Sequence, residues 1–157
     1  MKLQRQTLIL STAILVLACA ALAPRTAQAQ GKGKIYVSDV EYGTPGSEKE
    51  LAGALKRQSK TVIKGEEGTW QLNLMVFLNA APGGNSINIV YYDLSKKNEQ
   101  VDFAEVPVKP DQKIILLNGQ TASKEKGFVK GHKYDIRATR VVGGKEKVLA
   151  KATITLK

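Results

Sequence analysis

From residue 34 onward, apolar side chains recur at every second position. Trp70, Leu72, Leu74, Val76 and Leu78 form one such row in the segment 69–79, and Ile87, Ile89 and Tyr91 form another in 86–94. Tyr134, Ile136 and Ala138 share a face near the C-terminal end, as do Ala150, Ala152, Ile154 and Leu156. Side chains two apart in an extended chain project to the same side, so each row predicts a strand with one buried face. Three further strands are expected at 34–42, 101–109 and 113–118. Pro107 cannot donate to a ladder and places 101–109 at a sheet edge. The run Ile114-Ile115-Leu116-Leu117 is too short for its pattern to choose a face. In 34–42, Tyr36, Val40 and Tyr42 are in phase while Ile35 and Val37 are not, which implies a bulge or a strand covered on both sides. Turn residues separate these segments at short intervals: Ala80-Ala81-Pro82-Gly83-Gly84-Asn85, then Ser95-Lys96-Lys97-Asn98-Glu99. Seven short strands with frequent turns predict an all-β, antiparallel sandwich.

One segment departs from the period of two. Ser47-Glu48-Lys49-Glu50 has the spacing of a capping box, Leu51 and Leu55 lie four apart, and Lys56 and Arg57 follow where a helix C-terminus favours cations. A short helix is expected over 48–57. The last two strands meet around Gly143-Gly144. A two-residue loop pairing Val142 with Lys145 would set Ile136 opposite Lys151 and mix core with solvent faces. A three-residue connection, Gly143-Gly144-Lys145, is therefore expected.

The stretch Phe128-Val129-Lys130-Gly131-His132-Lys133-Tyr134-Asp135-Ile136 resembles the start of the penultimate strand in immunoglobulin-like and fibronectin type III-like domains. There a glycine turn leads into a strand whose early tyrosine forms a tyrosine corner. The resemblance implies a seven-stranded immunoglobulin-like sandwich with the Tyr134 hydroxyl bonded to backbone between Phe128 and Gly131. The chain lacks the inter-sheet cysteines of antibody domains, and a shared fold does not assign a function.

The N-terminus changes the picture. Lys2 and Arg5 precede an apolar stretch at 8–23, Pro24 breaks it, and Ala27-Gln28-Ala29 supplies a small-x-small cleavage pattern. A bacterial signal peptide over 1–29 is expected, followed by a flexible leader at 30–33 and one domain at 34–157. Export leads to the periplasm or the extracellular space. Val16-Leu17-Ala18-Cys19 offers an alternative, a lipid anchor through Cys19. The apolar run is shorter than the ~20 residues of a bilayer-spanning helix, so no transmembrane segment is expected in the mature chain. Cleavage would leave 128 residues with 21 basic and 14 acidic side chains, a net charge of about +7. The single cysteine would be lost with the leader, removing disulfides, thiolate chemistry and Cys-ligated metals from the mature domain.

Few residues carry candidate chemistry. His132 is the sole histidine and reads as a solvated turn residue, and the serines lack a glycine-flanked elbow. Asp39 and Glu41 are two apart without the oxygen-ligand run of a calcium loop. The chain is therefore expected not to be an enzyme, and no cofactor is implied. Two binding surfaces remain. Met75 and Phe77 point away from the Trp70 row, and Val90 and Tyr92 point away from the Ile87 row, where a simple sandwich would be polar. These four are the candidate contacts for a protein partner, unless the Leu51/Leu55 segment covers them. Lys133, Arg137, Lys147 and Lys151 are expected opposite the core set of the last hairpin, a basic stripe that could meet an acidic polysaccharide or another polyanion. Nucleic acid is disfavoured, because few exposed aromatics are available to stack on bases. Trp70 and Tyr134 are expected to be structural. The function read from these features is a non-catalytic interaction or structural module at the bacterial cell envelope. A polyanion binder is the alternative.

Overall fold

The computed structural model describes residues 31–44 and 46–157. The expected signal peptide, the Cys19 anchor and the Ala27-Gln28-Ala29 site lie outside the described residues. The described residues are mostly β with one α-helix: β1 (Lys34–Ser38), α1 (Glu48–Gln58), β2 (Val62–Ile63), β3 (Thr69–Phe77), β4 (Ser86–Asp93), β5 (Glu99–Pro107), β6 (Ile114–Ser123), β7 (Lys133–Val142) and β8 (Lys145–Leu156). The strands form one hydrogen-bonded path, β5-β4-β7-β8-β1-β3-β6, with β2 attached to β8 off that path. The path curls as a half-barrel. Inner rows from both arms therefore meet in a single cluster that includes Trp70, Leu72, Leu74, Val76, Ile87, Ile89, Tyr91, Ile136, Ile154 and Leu156.

Three features differ from the sequence expectation. The sheet has eight strands rather than seven, and it is mixed rather than antiparallel. β1 pairs antiparallel with β3 but parallel with β8, through Lys34 and Lys151, and β2 pairs parallel with the far end of β8. The edge of β8 is thus shared between two short strands, and a two-residue strand such as β2 leaves no periodic trace in the sequence. Second, residues 31–33 are not a loose leader. Gly33 N–H donates to Phe77 O at 2.8 Å, and Lys151 N–H donates to Gly33 O at 3.1 Å. Gly31 lies against the Phe77 ring, where a Cβ would come within 2.7 Å of the ring.

The third difference is the last hairpin. It turns through two residues, with Gly143 at φ 58° and Gly144 at φ 75°, and Val142 does pair with Lys145. Parity is restored further down. The register shifts between Ala138 and Thr139, so that Ala138 faces Ala150, Thr139 faces Val148, and Leu149 is the extra residue. Beyond that bulge Ile136 opposes Ala152. The Gly-Gly pair thus keeps its favoured tight turn and the core keeps its apolar face, because one inserted residue absorbs the conflict.

The helix cap and the edge position of Pro107 are as expected, whereas β1 ends short of residue 42 and β6 runs past residue 118. α1 begins with Ser47 Oγ accepting from Glu50 N–H at 3.2 Å, while the Glu50 carboxylate accepts from Gly46 N–H at 2.8 Å. β5, which carries Pro107, ends the strand path. Ile35 and Val37 enter the core while Tyr36 faces the other side, the two-sided cover that the mixed phase of 34–42 allowed. β1 stops at Ser38, so Val40 is exposed, and Tyr42 is buried from the following loop. The Asn118 side chain holds that loop by bonding both the N–H and the carbonyl of Tyr42. In β6, Ile115 is buried while Ile114 and Leu116 are exposed. Trp70 is 1 % exposed and its Nε1 donates to the Lys157 carbonyl at 3.0 Å, tying the core to the chain end. Val129 N–H donates to the Tyr134 hydroxyl at 2.7 Å.

Candidate functional site

The four apolar positions expected to form one contact surface fall on two. Met75 and Phe77 lie on the outer side of β3, and Val90 and Tyr92 on the outer side of β4, in opposite arms of the strand path. Met75 is only 2 % exposed. Phe77 is half-buried and meets Tyr36 edge-to-face at 5.6 Å. α1 packs against β1 on this side, and Leu51 and Leu55 share a groove with Tyr36 and Phe77. The helix thus occupies the side that its Leu51/Leu55 spacing suggested.

On the outer side of β5-β4-β7-β8, Asp135, Lys151 and Thr153 share a hollow with residues 59–61 at the β8 end, while Phe103 at the β5 end is exposed. Cross-strand register builds this side in rows. Phe103, Val90, Arg137 and Lys151 form one row, and Gln100, Tyr92, Asp135 and Thr153 form the next. Val90 is only 6 % exposed, so it supports this surface from beneath rather than presenting itself. Its neighbour Phe103 is 60 % exposed, and Val148 and Val141 are exposed on the same side. The guanidinium of Arg137 lies 4.4 Å above the Tyr92 ring, and its Nε donates to Asp135 Oδ2 at 2.7 Å. The Tyr92 hydroxyl donates to the Glu146 carboxylate at 3.3 Å. Partial burial, then the charge of Glu146, raise the Tyr92 phenol above its ordinary range, and Arg137 opposes that rise. Tyr92 and Arg137 are therefore held in place before any partner arrives. Sequence reasoning missed Phe103 because its exposure depends on the register of β5 against β4. The available signal was an aromatic in a strand already assigned to an edge.

The basic stripe is not assembled as expected. Arg137 and Lys151 are direct cross-strand partners, but Arg137 is paired with Asp135. Lys133 lies at the start of β7, opposite Thr155. The bulge at Leu149 reverses the parity of everything between it and the turn. Lys147 pairs with Arg140 and leaves the face that carries Arg137 and Lys151.

His132 is not a freely solvated turn residue. Its Nδ1 lies 2.7 Å from Oδ2 of Asp93, whose side chain is fully buried, and the other Asp93 oxygen accepts from Ser95 N–H at 2.8 Å. Asp93 needs both contacts because a buried carboxylate without partners is costly. The pair clips the end of β4 to the start of β7. Asp39 is engaged by Lys60 at 2.6 Å. Among the described residues, no group of three or more His, Cys, Asp or Glu side chains is placed to hold a metal, and no helix is long and apolar enough to cross a membrane.

Comparison of the chain with models of known families, with curated proteins and with solved structures gives no match. The described residues define a mostly β fold with one α-helix, curled around a hydrophobic core.

Proposed function

We propose that the protein is a non-catalytic exported domain with an immunoglobulin-like strand arrangement, which docks a protein partner at the bacterial cell envelope through the outer face of β5-β4-β7-β8. The exposure of Phe103 beside the braced Tyr92–Arg137 stack carries this reading. Aromatic and arginine side chains with little freedom left to lose dominate the energetics of protein interfaces, and an apolar patch on a sheet is a common site of association. Strand order supports the immunoglobulin-like arrangement. With β2 set aside and the others lettered A, B, C, C′, E, F and G in chain order, the path separates into A-B-E and C′-C-F-G, the sheet membership of that class. The tyrosine hydroxyl on the backbone at Val129 supports it too. The polyanion alternative draws less support, because Arg137 is already paired and Lys147 is turned away.

A photo-crosslinking amino acid at position 103, in protein exported by a bacterial host, tests the proposal. A discrete protein adduct that survives high salt is expected, and the same probe at Lys130 should give none. Phe103→Asp should weaken capture of the crosslinked partner at least about tenfold while leaving the thermal midpoint nearly unchanged. Equal capture by Phe103→Asp, or a salt-sensitive polymer in place of a protein, would overturn the proposal.

A further inference from the structure

The groove beneath α1 has a chemistry of its own. It encloses about 700 Å3 between the helix and the outer side of β1, β3 and β6. Its apolar walls are Leu51 and Leu55 from the helix and Tyr36, Phe77 and Ile114 from the strands. Burial is incomplete throughout: both leucines and Phe77 are only half-buried, and Ile114 is 49 % exposed. The helix therefore stands off the sheet far enough to leave apolar surface facing solvent.

The rim is cationic. Lys32, Lys56 and Lys113 line it from three separate segments, and all three are exposed. Among the described residues, no carboxylate lines the groove and none of these lysines has an ion-pair partner. Three ammonium groups around an apolar trough complement a ligand that is apolar along its length and anionic at one end. The walls also select against a peptide. The backbone beneath them is already laddered, Lys34 with Phe77 and Phe77 with Ile114. A peptide would bring backbone N–H and carbonyl groups into a floor with no partners for them, at a desolvation cost an acyl chain avoids.

We propose that the groove between α1 and β1-β3-β6 binds a free long-chain fatty acid, with the acyl chain along Leu51, Leu55, Tyr36, Phe77 and Ile114 and the carboxylate among Lys32, Lys56 and Lys113. This site lies on the arm opposite Phe103 and stands independently of the docking proposal. The exported protein is titrated with a dansylated undecanoic acid, and the dansyl emission is followed. Saturable one-site uptake is expected, about tenfold weaker for the methyl ester of the same probe and at least about tenfold weaker for Lys32→Glu/Lys56→Glu/Lys113→Glu. Ile114→Asp, at a position already half exposed, should also weaken uptake, and Phe103→Asp should leave it unchanged. Emission of Trp70 verifies that each variant is folded. Equal affinity for acid and ester, uptake unaltered by the triple charge reversal, or a response to phosphatidylglycerol vesicles without one to the free acid would each overturn the proposal.

Discussion

Replacing Trp70 with alanine is expected to destabilise the domain by about 3–5 kcal/mol. The indole is 1 % exposed, it stands at the head of the longest inner row, and its Nε1 holds the Lys157 carbonyl. That carbonyl also accepts from Gly65 N–H at 2.8 Å. Gly65 lies so close to the indole and to the Thr69 carbonyl that even a Cβ would collide. Truncation therefore opens a large cavity and loosens the end of β8 together. Since a domain of this size holds only about 5–15 kcal/mol in total, the substitution should remove a large share of its stability. Urea unfolding followed by far-ultraviolet circular dichroism gives the number. Trp70→Phe should fall between the two, keeping apolar volume but losing the donor. A cost below about 1 kcal/mol for Trp70→Ala would mean that the indole is not in the core.

The second large effect is with pH. Burial raises the phenol of Tyr91 far above its usual value of 10.0, with the Asp102 charge adding to it. Tyr42 is raised by burial, partly offset by its bond to Ser59. Tyr134 is raised by burial, with the Val129 backbone opposing and Asp93 contributing. Below about pH 10 the folded and unfolded chains both keep these protons, so the stability they confer is fully present. Above it the unfolded chain releases them while the folded chain retains them, and stability falls as pH climbs. Tyr91 alone should cost about 1.4 kcal/mol per pH unit in that range, and Tyr42 and Tyr134 add to it. The urea midpoint should be flat from about pH 7 to 9 and drop steeply by about pH 11. The tyrosinate absorbance of Tyr42, Tyr91 and Tyr134 should appear together with unfolding. Titration of all five tyrosines with the fold intact would contradict the burial of these three rings.

Much of the architecture could be read from local pattern, because local pattern is what alternation and capping record. The Trp70, Ile87, Tyr134 and Ala150 rows all contribute to the core, and the Ser47 cap starts α1 where its spacing indicated. What escaped reading was set by contacts distant in sequence. Leu149 is an apolar residue beside a row of apolar residues, and nothing adjacent marks it as the inserted one. Only the demand that Gly143-Gly144 make a two-residue turn while Ile136 faces the core requires a bulge. That single residue moved Lys147 off the expected basic face. The clamp on residues 31–33 likewise depends on β3 and β8 passing on either side, and a Gly-Lys-Gly-Lys stretch looks like a leader without them. At the candidate site, Tyr92 was visible as an outward aromatic. Val90 was visible too, but its burial follows from the residues beside it in register, as does the exposure of Phe103. His132 was misread because Asp93, its partner at 2.7 Å, lies 39 residues away in the chain.

The displacement of Lys147 from the side of Arg137 and Lys151, and the place of Glu146 beside the proposed docking face, depend on the register of β7 against β8. Interproton contacts across that pair, measured in solution by NMR, test it most directly. The structure requires Ile136 to face Ala152 and Thr139 to face Val148, with Leu149 lacking a cross-strand partner. Contacts placing Ile136 opposite Lys151 in one uninterrupted ladder from the Gly143-Gly144 turn would set Lys151 on the core side of β8 and contradict the account.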